Sequence, residues 1–67
     1  AVQARFAGSD RQIRGAILRE LITSTLTLKQ IKDALTYADP ERVNTQVANL
    51  TSEGLIEKYR YYYRLPQ

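Results

Sequence analysis

The chain has no cysteine, no histidine, no methionine and no tryptophan. Without cysteine there is no disulfide staple, no thiolate metal site and no thiol nucleophile. Without histidine the commonest general base and the commonest metal ligand are gone too. No apolar run approaches the roughly 20 residues that span a bilayer, and no signal-peptide pattern is present, so no membrane partner is expected. With 67 residues the chain makes one domain at most. A domain of this size buries only about 60% of its unfolded surface, so its core must be economical. It begins at Ala1 rather than methionine and ends at Gln67, which suggests a piece of something longer.

What is present is an ordinary apolar fraction, 43%, and a net charge of +3 whose placement matters more than its size. Residues 1–22 hold four arginines against two acids, residues 23–54 three basic against four acidic groups, and residues 55–67 three basic against one acidic. The basic surplus lies at the two ends. Such a surplus favours an anionic partner without requiring one.

Residues 1–8 read as a linker or arm, and residues 9–67 as the domain. Ser9-Asp10-Arg11-Gln12 is a capping box, followed by Ile13, Ala16, Ile17 and Leu21 at helical spacing. That predicts a first helix from about Asp10 to Ile22. Thr25-Leu26-Thr27 can form a short strand. Thr27-Leu28-Lys29-Gln30 repeats the capping box, and Leu28, Ile31 and Leu35 predict a second helix over Leu28 to Thr36, with Tyr37-Ala38 as the turn. Asp39 caps a third helix with Pro40 at its first position. Val43, Val47 and Leu50 form its buried stripe, and Gly54 its left-handed stop. Leu55 and Ile56 then begin a strand. No Asn-Gly or Gly-Gly turn follows, so a ribbon tip near Arg60-Tyr61 must be tight or irregular. Leu55, Tyr63 and Leu65 are expected to face the core, with Lys58, Arg60 and Arg64 toward solvent. The order is mainly α with a small β-hairpin, an α+β arrangement: a winged helix-turn-helix of three helices plus a two- or three-stranded antiparallel wing. A three-helix bundle with a frayed tail is the competitor. Five of the nine residues from Leu55 to Tyr63 are β-branched or aromatic, which argues against it.

Three places offer candidate DNA contacts. In the third helix, Arg42, Thr45 and Asn49 face outward with Glu41, Ala48 and Ser52. Arg42 and Asn49 suit guanine and adenine edges, yet a single cation against Glu41 and Glu53 is poor equipment for a sequence-specific reader. A solvated helix face is the plainer alternative. The wing is the better candidate: Lys58, Arg60 and Arg64 can neutralise phosphates, and Tyr59, Tyr61 or Tyr62 can stack or hydrogen-bond to a backbone. Equally, the tyrosines can serve as cross-strand pairs that hold a small sheet, and two of them are expected to be structural. Arg11, Arg14 and the amides at Ser9 to Arg11 make a third, weaker anion site, since Asp10 partly fills it. The carboxylates Asp33, Asp39, Glu41, Glu53 and Glu57 lie in caps or on polar faces, and Gly8 and Gly15 make no phosphate loop. Neither a catalytic residue nor a metal or cofactor is therefore expected.

The block Phe6-Ala7-Gly8-Ser9-Asp10-Arg11-Gln12-Ile13-Arg14-Gly15 resembles a Phe-x-Gly-Ser/Thr-Asp/Asn-Arg-Gln-x-Arg-Gly segment. That segment follows the catalytic domain in a branch of A/G-specific adenine DNA glycosylases. Gly54-Leu55-Ile56 and Tyr63-Arg64-Leu65-Pro66 are similar to the Gly-Leu-Val/Ile and Tyr-Arg-Leu-Pro of a winged-helix-like tail in the same enzymes. The specific part is about ten residues at one end and a few at the other. The resemblance implies the C-terminal part of a cytoplasmic, nucleoid-associated base-excision repair enzyme. Its partners would be double-stranded DNA and the catalytic domain of its own parent chain. Such enzymes remove adenine opposite 8-oxoguanine with a carboxylate and a helix-hairpin-helix, in a domain that also holds an iron–sulfur cluster. None of those features occurs in these residues, so no catalytic residue carries over. The chain is also similar, more loosely, to winged-helix transcription regulators. It is less like those that bind left-handed duplexes, because Ala48 stands where their key tyrosine would be and their Pro-Pro-Trp is missing. A protein-docking winged helix is the remaining alternative.

Overall fold

Each helix begins where a side chain satisfies free amides of its first turn. In the computed structural model, which describes residues 9–66, Ser9 caps α1 (Asp10–Thr23). Its Oγ accepts from the Gln12 amide at 3.2 Å while Gln12 Oε1 accepts from the Ser9 amide at 2.8 Å. Thr27 and Gln30 repeat the exchange, at 3.2 and 2.9 Å, for α2 (Leu28–Ala34). Asp39 Oδ1 accepts from the Glu41 amide at 3.0 Å to start α3 (Pro40–Ser52), with Pro40 at the first helical position. Between and after the helices lie β1 (Leu26–Thr27), β2 (Glu57–Tyr59) and β3 (Tyr62–Arg64). The strands form one antiparallel sheet in the order β1-β3-β2. This is a winged helix-turn-helix, with α2 and α3 as the helix pair and β2-β3 as the wing. The arm expected over residues 1–8 lies outside the described residues.

One apolar stripe from each helix meets in the core: Ile13, Ile17 and Leu21 from α1, Ile31 from α2, and Val43, Val47 and Leu50 from α3. Ile56, between α3 and β2, joins it, and Tyr63 and Leu65 pack against it.

Two boundaries depart from the sequence pattern. Helix α2 stops at Ala34, not Thr36, because Leu35 leaves helical geometry at φ −104°, ψ 55°. The Ala38 amide then donates to the Leu35 carbonyl at 3.1 Å, and both residues are buried. The connection, residues 35–39, is thus longer than the Tyr37-Ala38 turn expected, and it anchors in the core through Leu35 and Ala38 while Thr36 and Tyr37 stay exposed. At the other end of α3, Gly54 adopts φ +81°. The Gly54 amide donates to Thr51 O at 3.1 Å and the Leu55 amide to Leu50 O at 3.0 Å, the bond pair of a Schellman stop. That stop consumes Leu55, which is 45% exposed, and hands the inward position to Ile56, which is 1% exposed. The expectation that Leu55 faces the core is therefore wrong by one residue, and the strand begins only at Glu57.

Candidate nucleic-acid interface

The wing's register follows from its turn. Tyr59 pairs with Tyr62, Lys58 with Tyr63 and Glu57 with Arg64, leaving Arg60 and Tyr61 as a two-residue tip. Such tips need a positive φ, usually from glycine or asparagine. Here Arg60 takes it, at φ +58°. Side chains alternate across a strand, and opposed residues share a face. One face of the ribbon therefore carries Glu57, Tyr59, Tyr62 and Arg64, with Thr27 beside Tyr62. The other carries Lys58 and Tyr63, with Leu26 alongside; Tyr63 and Leu26 pack against the core, while Lys58 is exposed.

The outer face is ordered by its arginines. Arg64 Nε donates to Glu57 Oε1 at 2.8 Å and its guanidinium lies 4.7 Å from the centre of the Tyr59 ring. Arg60 approaches the same ring at 5.7 Å. Lys58 Nζ lies 5.8 Å from the Tyr63 ring. Contacts of this kind are worth about 0.5–1 kcal/mol each at exposed sites. Arg64 is partly buried and its charge is matched by Glu57. It is thus less a solvent-facing phosphate ligand, as the sequence suggested, than a strut. Lys58 and Arg60 are exposed and form no ion pair among the described residues.

On the helices the candidate arginines separate. Arg14 Nη2 and Nη1 meet the two carboxylate oxygens of Glu53 at 2.5 and 3.0 Å, and Nη1 also reaches Gln46 Oε1 at 3.4 Å. Hydrogen bonding to Arg14 holds the Glu53 carboxyl below its ordinary pKa, and the same bond raises that of Arg14. Glu53 is the C-cap of α3, where a carboxylate faces the negative end of the helix dipole. Arg14 offsets that repulsion. Arg42 Nη2 and Nε both reach Asp10 Oδ1, at 2.6 and 3.0 Å. The pairs Arg42–Asp10 and Arg14–Glu53 thus tie α1 to α3. The proposed anion site at the start of α1 loses two of its parts: Arg14 is engaged by Glu53, and the Ser9 amide by Gln12. Arg11 remains exposed there, without an ion pair among the described residues.

The outward face of α3 consists of Glu41, Thr45, Ala48, Asn49 and Ser52, all exposed. It presents no cation, and the Thr45 hydroxyl donates to the Glu41 carbonyl at 3.0 Å. Sequence reasoning saw the helix as poor in charge but missed that its one arginine is held by Asp10. It also missed Gln46, buried at 6% beside Arg14. The Glu57–Arg64 pair was within reach, because a two-residue tip at Arg60-Tyr61 sets those residues opposite each other. Among the described residues no three acidic side chains cluster to hold a metal, and no helix is long and apolar enough to cross a membrane. Comparison with protein-family models, curated proteins and solved structures gives no match to this chain.

Proposed function

We propose that this winged helix is an accessory DNA-binding module that grips the phosphate backbone without reading sequence. The observation that carries the reading is the wing tip: Arg60 holds a positive φ where glycine would sit without strain. Strained backbone at a non-glycine residue recurs at ligand clamps and switch regions, and here it falls on a cation with no ion pair among the described residues. Lys58 and Arg60 neutralise phosphates, Tyr59 and Tyr62 supply polar and ring contacts, and Arg11 adds a more distant cation. Arg14, Arg42 and Arg64 act chiefly as internal struts. The cation-free face of α3 supports backbone gripping over base readout, since specific readers need phosphate neutralisation around the reading helix. The resemblance noted above makes the C-terminal part of an adenine glycosylase-like repair enzyme the parent we favour. Its catalytic chemistry would reside in other residues.

Titration of unrelated duplexes at low salt tests the proposal. Comparable affinity for each sequence at about 20 mM salt, falling as salt rises, is the expected result. No binding at that salt would overturn it.

A second reading draws on the same α3 face. A polar, cation-free surface with Ala48 at its centre suits docking on a protein, the catalytic domain of the parent chain being the natural partner. NMR shifts confined to Glu41, Thr45, Ala48 and Asn49 when that domain is added, with DNA left unbound, would favour docking over the first reading.

A further inference from the structure

We infer that the wing tip prefers DNA whose base stack is already open, at a duplex end, and that Tyr61 is the residue that recognises it. The inference rests on the DNA-binding reading above and sharpens its ligand class.

The four tyrosines of the ribbon have different surroundings. Tyr63 packs on the core. Tyr59 has one guanidinium 4.7 Å and another 5.7 Å from its ring. Tyr62 lies in the central strand, opposite Tyr59 on one side and Thr27 on the other. Tyr61 alone stands outside the strands. It is 81% exposed and has no hydrogen bond or ring contact among the described residues. Its backbone lies in a two-residue turn closed by the Tyr59–Tyr62 pair and begun by the left-handed Arg60. An aromatic ring is thus carried bare at the end of a short ribbon, with Arg60 adjoining it in sequence and Lys58 on the strand behind.

Energetics chooses the ligand. Prying apart an intact base step costs at least as much as one aromatic ring regains by stacking. A single tyrosine therefore cannot drive itself into a closed duplex. It can stack on a base pair or base that is already exposed, where nothing has to be opened. Every base has a stacking face, so recognition of this kind selects DNA structure and not sequence. The adjoining Arg60 and Lys58 are placed to meet the terminal phosphates, which matches the sequence-independent grip proposed for the wing.

The test uses the full chain and two ligands: a short blunt-ended duplex, and the same duplex with both ends bridged by glycol linkers. Binding is measured in direct competition for the wild type, Tyr61→Ala and Tyr61→Phe. Blunt ends should be preferred by about fivefold or more, from the worth of one stacked ring. Tyr61→Phe should keep the preference, Tyr61→Ala should bring the ratio close to one, and the Tyr61 ring protons should move upfield on binding the blunt duplex. Equal binding of the two ligands by the wild type would overturn the inference and leave the backbone reading standing. A preference that survives Tyr61→Ala would also overturn it. Failure to bind either ligand would overturn the DNA-binding reading itself. Thermal unfolding of each variant confirms that an exposed tip substitution has left the fold intact.

Discussion

Two described residues hold a positive φ, Gly54 and Arg60, and they make opposite predictions from the same physics. A Cβ at Gly54 would meet open space, so Gly54→Ala should cost only the left-handed backbone penalty, about 1 kcal/mol, in urea unfolding. Arg60 already bears that penalty. Arg60→Gly should therefore leave stability unchanged or raise it by up to about 1 kcal/mol while weakening DNA binding. Loss of stability in Arg60→Gly would mean that the Arg60–Tyr59 contact, not the ligand, keeps the arginine there. Glu53 gives a third test. Its pKa in the folded state lies below the ordinary 4.5 because of Arg14. The stability it contributes is thus complete above pH 4.5, and it is lost as pH falls through the depressed folded value. Glu53→Gln should be less stable than the wild type near neutral pH, and the two should converge in acid. Both side chains are part-exposed, so the gap should be small and should shrink with salt.

At the scale of elements, local signals and tertiary forces have different weights. Helix α2 has seven residues, too few to hold its shape alone in water. It persists because Ile31 and Leu35 are buried. Ile31→Ala should cost roughly 2–5 kcal/mol, a large share of what so small a domain possesses. Ser9→Ala, which removes only a cap, should cost about 1 kcal/mol. Both capping boxes, the Asp39-Pro40 start and the Gly54 stop were legible in the sequence, because each is a bond or a φ requirement within a few neighbouring residues. The end of α2 was not. Thr36 is an acceptable helix residue, and only the burial of Leu35 and Ala38 against the other helices turns the chain there. Ile56 rather than Leu55 faces inward for a related reason: the Schellman stop shifts the strand by one residue, and a shift of one exchanges inside for outside. At the candidate site, composition located the tyrosine-rich wing. It could not tell which arginines are matched, since Asp10 meets Arg42 and Glu53 meets Arg14 across large sequence separations.

Seen whole, the molecule spends half of its six site cations internally. Arg14, Arg42 and Arg64 meet Glu53, Asp10 and Glu57, leaving Lys58 and Arg60 at the wing and Arg11 on α1. The wing's unmatched positive charge thus sits on Lys58 and Arg60. We propose that the wing, and not α3, holds the phosphate backbone. The salt dependence of affinity for an end-closed duplex tests it most directly, compared among the wild type, Lys58→Gln, Arg60→Gln and a Thr45→Ala/Asn49→Ala double variant. Each phosphate neutralised contributes about 0.9 to the log–log slope. The wild-type slope should be shallow, should drop by about 0.9 in each wing variant and should be unchanged in the α3 double variant. A slope that survives both wing substitutions, or an affinity that collapses with Thr45 and Asn49, would contradict it.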